Sequence, residues 1–185
     1  VYRRRVEAES EITITPGATQ AIFCAIQATI RHGDEVIVFD PCYDSYEPAV
    51  ELAGGTCVHV QLDAADFSID WQQLGQAINA RTRMIVINSP HNPSGALITA
   101  AELDRLATLI ADRDIYIVSD EVYEHLVFDG VAHASVLACS LYFIMPGIGF
   151  ALRANGRAAV RQRAAGLYLE FCADGLFLHC SRARG

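Results

Sequence analysis

Ser119-Asp-Glu-Val-Tyr123 sets a carboxylate and a phenol three residues apart, directly after the apolar run Ile115 to Val118. Asp120 and Tyr123 can then point into one crevice. Such a carboxylate serves general acid/base chemistry or caps its loop. Buried without a cation it is costly, so the chain or a ligand must supply one. Three further polar stretches also follow apolar runs. Thr15-Pro-Gly-Ala-Thr-Gln-Ala21 is a glycine turn entering a helix. Free N–H groups there attract anions, phosphate above all. Gly17 lets a ligand approach the backbone, and the Thr19 hydroxyl can donate. An ordinary strand–turn–helix connection accounts for this stretch equally well.

Asp40-Pro-Cys-Tyr-Asp-Ser-Tyr46 sets an aromatic ring just past a strand end. Tyr43 could stack on a planar ring, although rim packing is the commoner use of such a residue. In Asn88-Ser-Pro-His-Asn-Pro-Ser-Gly95 two prolines hold Asn92 rigidly. Its amide suits a ligand oxygen, and turn stabilisation is the competing use. His91 reads as structural.

These loops need a scaffold. Strand-like runs at Glu35–Phe39, Cys57–Val60, Arg83–Asn88 and Ile115–Val118 alternate with helical patterns at Ala18–Ile30, Tyr46–Leu52, Ser68 to about Asn79, and Ala100–Arg113. Thr99 and Glu102 form a capping box for the last of these helices. Glu11–Thr15 reads as a short strand, and the first residues as a helix end. Such alternation predicts a three-layer α/β/α domain with a mostly parallel sheet. Open sheets of this kind place ligands at the carboxyl ends of their strands.

Composition narrows the function. The chain has 185 residues, is 52% hydrophobic and carries a net charge of −8, which argues against nucleic acid as a partner. Arg3-Arg4-Arg5 reads as a solvated helix end. With no apolar run of membrane-spanning length and no signal peptide at the start, a cytoplasmic location is expected. The six cysteines have no metal-ligand spacing and read as buried free thiols. All 14 basic residues are arginine; lysine is absent.

From about Cys139 the pattern changes. Glu170 and Asp174 are the only acids beyond it, and capping signals are lacking. The expected organisation is residues 1–138 as a partial cofactor-binding large domain and residues 139–185 as an aberrant tail. A short helix over Asn155–Leu169 and a shifted reading frame are both compatible with the tail.

Taken together, the loops offer a phosphate cradle, a stacking ring, a rigid amide, a phenol and a carboxylate. A flat, phosphorylated, nitrogen-containing aromatic would use them all, and pyridoxal 5'-phosphate is such a molecule. The four motifs, in this order between about Ile12 and Leu137, resemble fold-type I pyridoxal-phosphate aminotransferases of class I/II, above all the methionine/kynurenine branch. The resemblance implies that Gly17, Ala18 and Thr19 hold the cofactor phosphate and that Tyr43 stacks on the ring. It implies that Asn92 and Tyr123 bind the phenolic oxygen and that Asp120 pairs with the pyridinium nitrogen. Amino-acid and 2-oxo-acid substrates and a homodimer follow by kinship.

The departures are as specific. Nothing after Leu137 resembles the family's segment with the Schiff-base lysine, so no catalytic residue is assigned. Arginine cannot replace that lysine, because its guanidinium stays protonated. An incomplete or inactive aminotransferase domain is therefore expected. A carbon–sulfur lyase of the same fold, or a non-catalytic domain that pairs with a complete subunit, are the alternatives. A nucleotide-binding sheet domain lacks its glycine pattern here.

Overall fold

A computed structural model describes residues 13–138 and the strand segments 148–153, 159–162, 167–168 and 179–180. Helix α1 (Ala18–Thr29) follows the Gly17 turn and buries Ala21, Ile22, Ala25, Ile26 and Thr29, one helical stripe. Strand β1 (Glu35–Asp40) comes next, then α2 (Tyr46–Leu52) and β2 (Thr56–Gln61). Helix α3 (Trp71–Ala77) starts at Asp70, whose carboxylate accepts from the backbone N–H groups of Gln72 and Gln73. Strand β3 (Thr82–Asn88), α4 (Ala100–Ile110) and β4 (Tyr116–Glu121) complete the alternation, and a 3-10 turn spans Val136–Ala138. The expected capping box at Thr99 and Glu102 is formed on α4.

The strands order as β2-β1-β3-β4-β5-β6, where β5 is Ile148–Arg153 and β6 is Ala159–Gln162. All pairings are parallel up to β5, and β6 runs antiparallel to it. A separate two-stranded pair joins β7 (Leu167–Tyr168) to β8 (His179–Cys180).

Side-chain alternation along the strands divides the core in two. Val36, Val38, Met84, Val86 and Val118 pack against α1 and α2 on one face. Ile37, Ile85, Ile87 and Ile117 pack against α3 and α4 on the other. This is the expected three-layer α/β/α arrangement. The chain reverses its direction of winding between β1 and β3, so the loops after these neighbours leave toward opposite faces and open a crevice between them.

Several boundaries differ from the sequence reading. Strand β4 runs on to Glu121 rather than ending at Val118, because Asn88 pairs with Asp120 on one side and Leu152 on the other. Backbone pairing on both edges outweighs the polarity of Ser119, Asp120 and Glu121. Helix α4 stops at Ile110, short of Arg113. Of the strand expected over Glu11–Thr15, residues 11 and 12 lie outside the described residues, and Ile14 forms only a single bridge. The Arg3-Arg4-Arg5 cluster and the expected opening helix also lie outside them. Within Asn155–Leu169 the described parts, β6 and β7, are strands rather than helix. The edge of β5 offers β6 a hydrogen-bonding partner that periodicity cannot reveal. Among the described residues no helix is long and apolar enough to cross a membrane.

Candidate functional site

At the carboxyl ends of β1, β3 and β4 a cavity of about 230 Å³ opens, lined by Ala18, Thr19, Ile22, Tyr43, Asn88, Asn92, Asp120, Val122 and Tyr123. Six of the seven residues singled out in the sequence therefore share one cavity. The seventh, Gly17, adjoins it as the N-cap of α1, with φ +95° and open space where a Cβ would stand. That positive φ is strained for any residue with a side chain. No side chain caps the N-terminus of α1, so its first amide donors face the cavity end of the helix. A second cavity, of about 200 Å³, lies between Phe39, Phe67 and Ile98 and contains none of these seven residues.

Asp120 forms the floor and is only 4% exposed. The Tyr46 hydroxyl donates to its Oδ2 at 2.7 Å, and the Val122 N–H donates to Oδ1 at 3.2 Å. Among the described residues it pairs with no cation. Burial raises its carboxyl above the ordinary carboxylate range, against the lowering pull of the Tyr46 and Val122 bonds. Burial, followed by the charge and hydrogen bond of Asp120, pushes the Tyr46 hydroxyl well above its ordinary value. Tyr46 thus stays a neutral donor.

The rest of the site is built by contacts between loops. The Asn88 amide nitrogen donates to the Asp120 carbonyl at 2.9 Å, and its oxygen accepts the Asn92 N–H at 2.7 Å. Asn88 therefore fixes the Asn92 backbone relative to β4. His91 is structural, as expected. It is buried, its Nε2 donates to the Pro41 carbonyl at 2.9 Å, and its Nδ1 accepts from the Ser94 hydroxyl at 2.7 Å. That tautomer ties the loop after β3 to the loop after β1. Burial holds the ring below its ordinary pKa, which keeps it neutral for this role. Tyr43, 36% exposed, meets Tyr46 edge-on with ring centroids 5.7 Å apart.

Tyr46 and Asn88 are the functional neighbours that the motifs did not assign. Tyr46 looks like the first residue of a helix. Only its position three residues after Tyr43, at the entry to α2, hints that it could reach a site.

These features fit a flat anionic ligand with a ring cation. An uncapped helix end is open to an anion, the exposed phenol stands beside the cavity, and the floor carboxylate meets no cation among the described residues. Residues 2–156 match the family of aminotransferases of class I and II. The chain belongs to this family. It is 46% identical over 138 residues to the methionine aminotransferase of Escherichia coli K12, a match covering 75% of this chain and 36% of that protein. With kynurenine–oxoglutarate transaminase 3 of Homo sapiens it shares 38% identity over 146 residues, covering 74% and 32%. The solved structure of an Escherichia coli protein with a methionine aminotransferase function superposes with a TM-score of 0.77 at 43% identity, covering 82% of this chain and 40% of that one. N-succinyldiaminopimelate aminotransferase from Mycobacterium tuberculosis gives a TM-score of 0.74 at 37% identity, with the same coverage of 82% and 40%. The chain spans about a third of the length of the curated relatives it matches.

Proposed function

We propose that this chain is the cofactor-holding core of a pyridoxal 5'-phosphate aminotransferase that moves an amino group between an amino acid and a 2-oxo acid. One observation carries the reading: a carboxylate only 4% exposed at the floor of the cavity, with no cation beside it among the described residues. The family typically works with pyridoxal phosphate, which when bound serves as an electron sink for the substrate Cα. Asp120 would pair with the ring nitrogen and hold a proton on it. Tyr43 would cover one ring face and exclude water. Asn92 and Tyr123 would hydrogen-bond the phenolic oxygen. The N–H groups of Ala18 and Thr19, with the Thr19 hydroxyl, would receive the phosphate, and Gly17, whose own N–H donates to the Thr15 carbonyl at 2.7 Å, would leave it room to approach.

No residue of this stretch can hold the cofactor covalently, since all its basic side chains are arginine or histidine. The chain by itself binds the cofactor and does not turn over. The division at residue 138, a cytoplasmic homodimer and the two substrate classes belong to the same proposal. Calorimetric titration with pyridoxal phosphate tests it. Saturable binding is expected, weakened at least ~10-fold by Asp120→Asn, a loss in the range of a charge-assisted bond. After borohydride treatment, mass spectrometry should show no adduct on a side chain. An unchanged affinity in Asp120→Asn, or a side-chain adduct, would overturn the assignment.

The absence of lysine favours one second reading, a non-catalytic domain that pairs with a complete subunit. If that holds, mixing this chain with a full-length relative yields a mixed dimer with altered activity.

A further inference from the structure

Beside the cofactor cavity, on the surface formed by β1 and β2, a second set of side chains converges. Asp40 ends β1, Cys42 follows it by two residues, and His59 stands on β2 opposite Val38, in the register that puts Asp40 against Gln61. Their ligand atoms, a carboxylate oxygen, the Cys42 Sγ and an imidazole nitrogen, lie within 4.8 Å of one another. His59 Nδ1 is 3.0 Å from Asp40 Oδ1. The mechanism proposed above uses none of the three. We propose that Asp40, Cys42 and His59 form a binding site for one zinc-class divalent ion.

The donor chemistry selects the ion. Thiolate and imidazole exclude calcium and magnesium, which take oxygen ligands, and favour zinc, cobalt and their neighbours. One carboxylate and one thiolate balance a dication, with His59 neutral. Tetrahedral ligands at zinc bond lengths stand roughly 3.5 Å apart, so side-chain shifts of about an ångström close the set. Three protein ligands leave a fourth position for water, and it faces solvent, since the His59 and Asp40 side chains are 32% and 25% exposed.

The outer contacts fit such a site. A ligating histidine characteristically donates its other ring N–H to a carboxylate. Here Nε2 lies 3.3 Å from Glu47 Oε1, so Nδ1 is the nitrogen turned to the site. The ligating carboxylate is held too: the Gln61 side-chain amide donates to Asp40 Oδ2 at 2.8 Å. On binding, the ion takes the place of two protons, that of the Cys42 thiol and that which His59 Nδ1 donates to Asp40 Oδ1, and both leave to solvent. The cysteine spacing could not reveal this set, because its histidine comes from the neighbouring strand. An ion there would tie β2 to the loop whose next residue is Tyr43.

Titration of the full chain with cobalt(II) tests the proposal. A single saturable transition is expected, with a thiolate-to-cobalt charge-transfer band that added zinc abolishes. Cys42→Ser, close to isosteric, should fold with an unchanged circular dichroism spectrum and lose the band. His59→Gln should weaken cobalt binding at least ~10-fold, and Glu47→Gln should do so by about 10-fold while keeping the band. No charge-transfer band in the unsubstituted chain would overturn the site. So would a band of full strength in Cys42→Ser, which would assign the metal to one of the other cysteines.

Discussion

Asp120 and Glu121 are consecutive residues at the end of β4, both buried, and they face opposite sides of the sheet. Glu121 is fully provided for by its own fold. Ser119 Oγ donates to Oε1 at 2.9 Å, the Val136 N–H to the same oxygen at 3.0 Å, and His133 Nε2 lies 2.9 Å from Oε2. Asp120 has one phenol and one backbone N–H, and the rest of it faces an open cavity. Both carboxylates resist solvent, yet only one has a complete set of partners within the described fold. The difference separates a group that builds the domain from one that, in the proposed function, meets the charge of a ligand. Burial alone does not make that distinction; unmet electrostatic demand does.

The comparison can be broken most forcefully at Glu121. Glu121→Ala removes the carboxylate that His133 Nε2, the Ser119 hydroxyl and the Val136 N–H share. Chemical denaturation should show a loss of about 3 kcal/mol, since hydrogen bonds to a charged group contribute about 1.5–3 kcal/mol each. A loss below about 1 kcal/mol would mean that Glu121 is no structural keystone. Asp120→Asn should do the reverse. It removes a buried charge, so the ligand-free chain should gain about 1 kcal/mol, while cofactor affinity falls.

Acidity sharpens the same contrast. The folded-state pKa of Asp120 is raised above its unfolded value, chiefly by burial. Its contribution to stability is therefore present below the ordinary carboxylate range and lost as pH rises through the raised value. Denaturation of the ligand-free chain across that window should show this loss. Asp120→Asn should abolish that component, and saturating pyridoxal phosphate should flatten it. The smallest effect belongs to Tyr46→Phe, which removes the 2.7 Å bond to Asp120. Cofactor affinity should drop by about 1 kcal/mol, and the pH at which Asp120 ionises, followed by carbon NMR, should move upward.

Much of this was legible in the residues. The capping box at Thr99, the apolar runs of β1 and β3 and the four strand-end loops announced a parallel sheet with its site on one edge. Tyr43, Asn92 and Tyr123 line the cavity because their loops follow β1, β3 and β4, a local rule, and Ala18 and Thr19 because they open α1. What stayed hidden depends on pairing across the fold. Tyr46 reaches Asp120 over 74 positions, and no local pattern marks it. Asp120 itself lies within β4, because Asn88 and Leu152 flank it, whereas its polarity suggested a loop. The strands β6 and β7 were missed for the same reason: a sheet edge and a partner strand, not propensity, decide their conformation.

The central claim is that the Asp120 carboxylate is matched to a positive ring nitrogen. Comparing the affinity of the chain for pyridoxal phosphate and for its 1-deaza analogue, which replaces that nitrogen with carbon, isolates the match. Pyridoxal phosphate should bind at least ~10-fold more tightly, with the preference lost in Asp120→Asn. Equal affinities for the two ligands in the unsubstituted chain would contradict it.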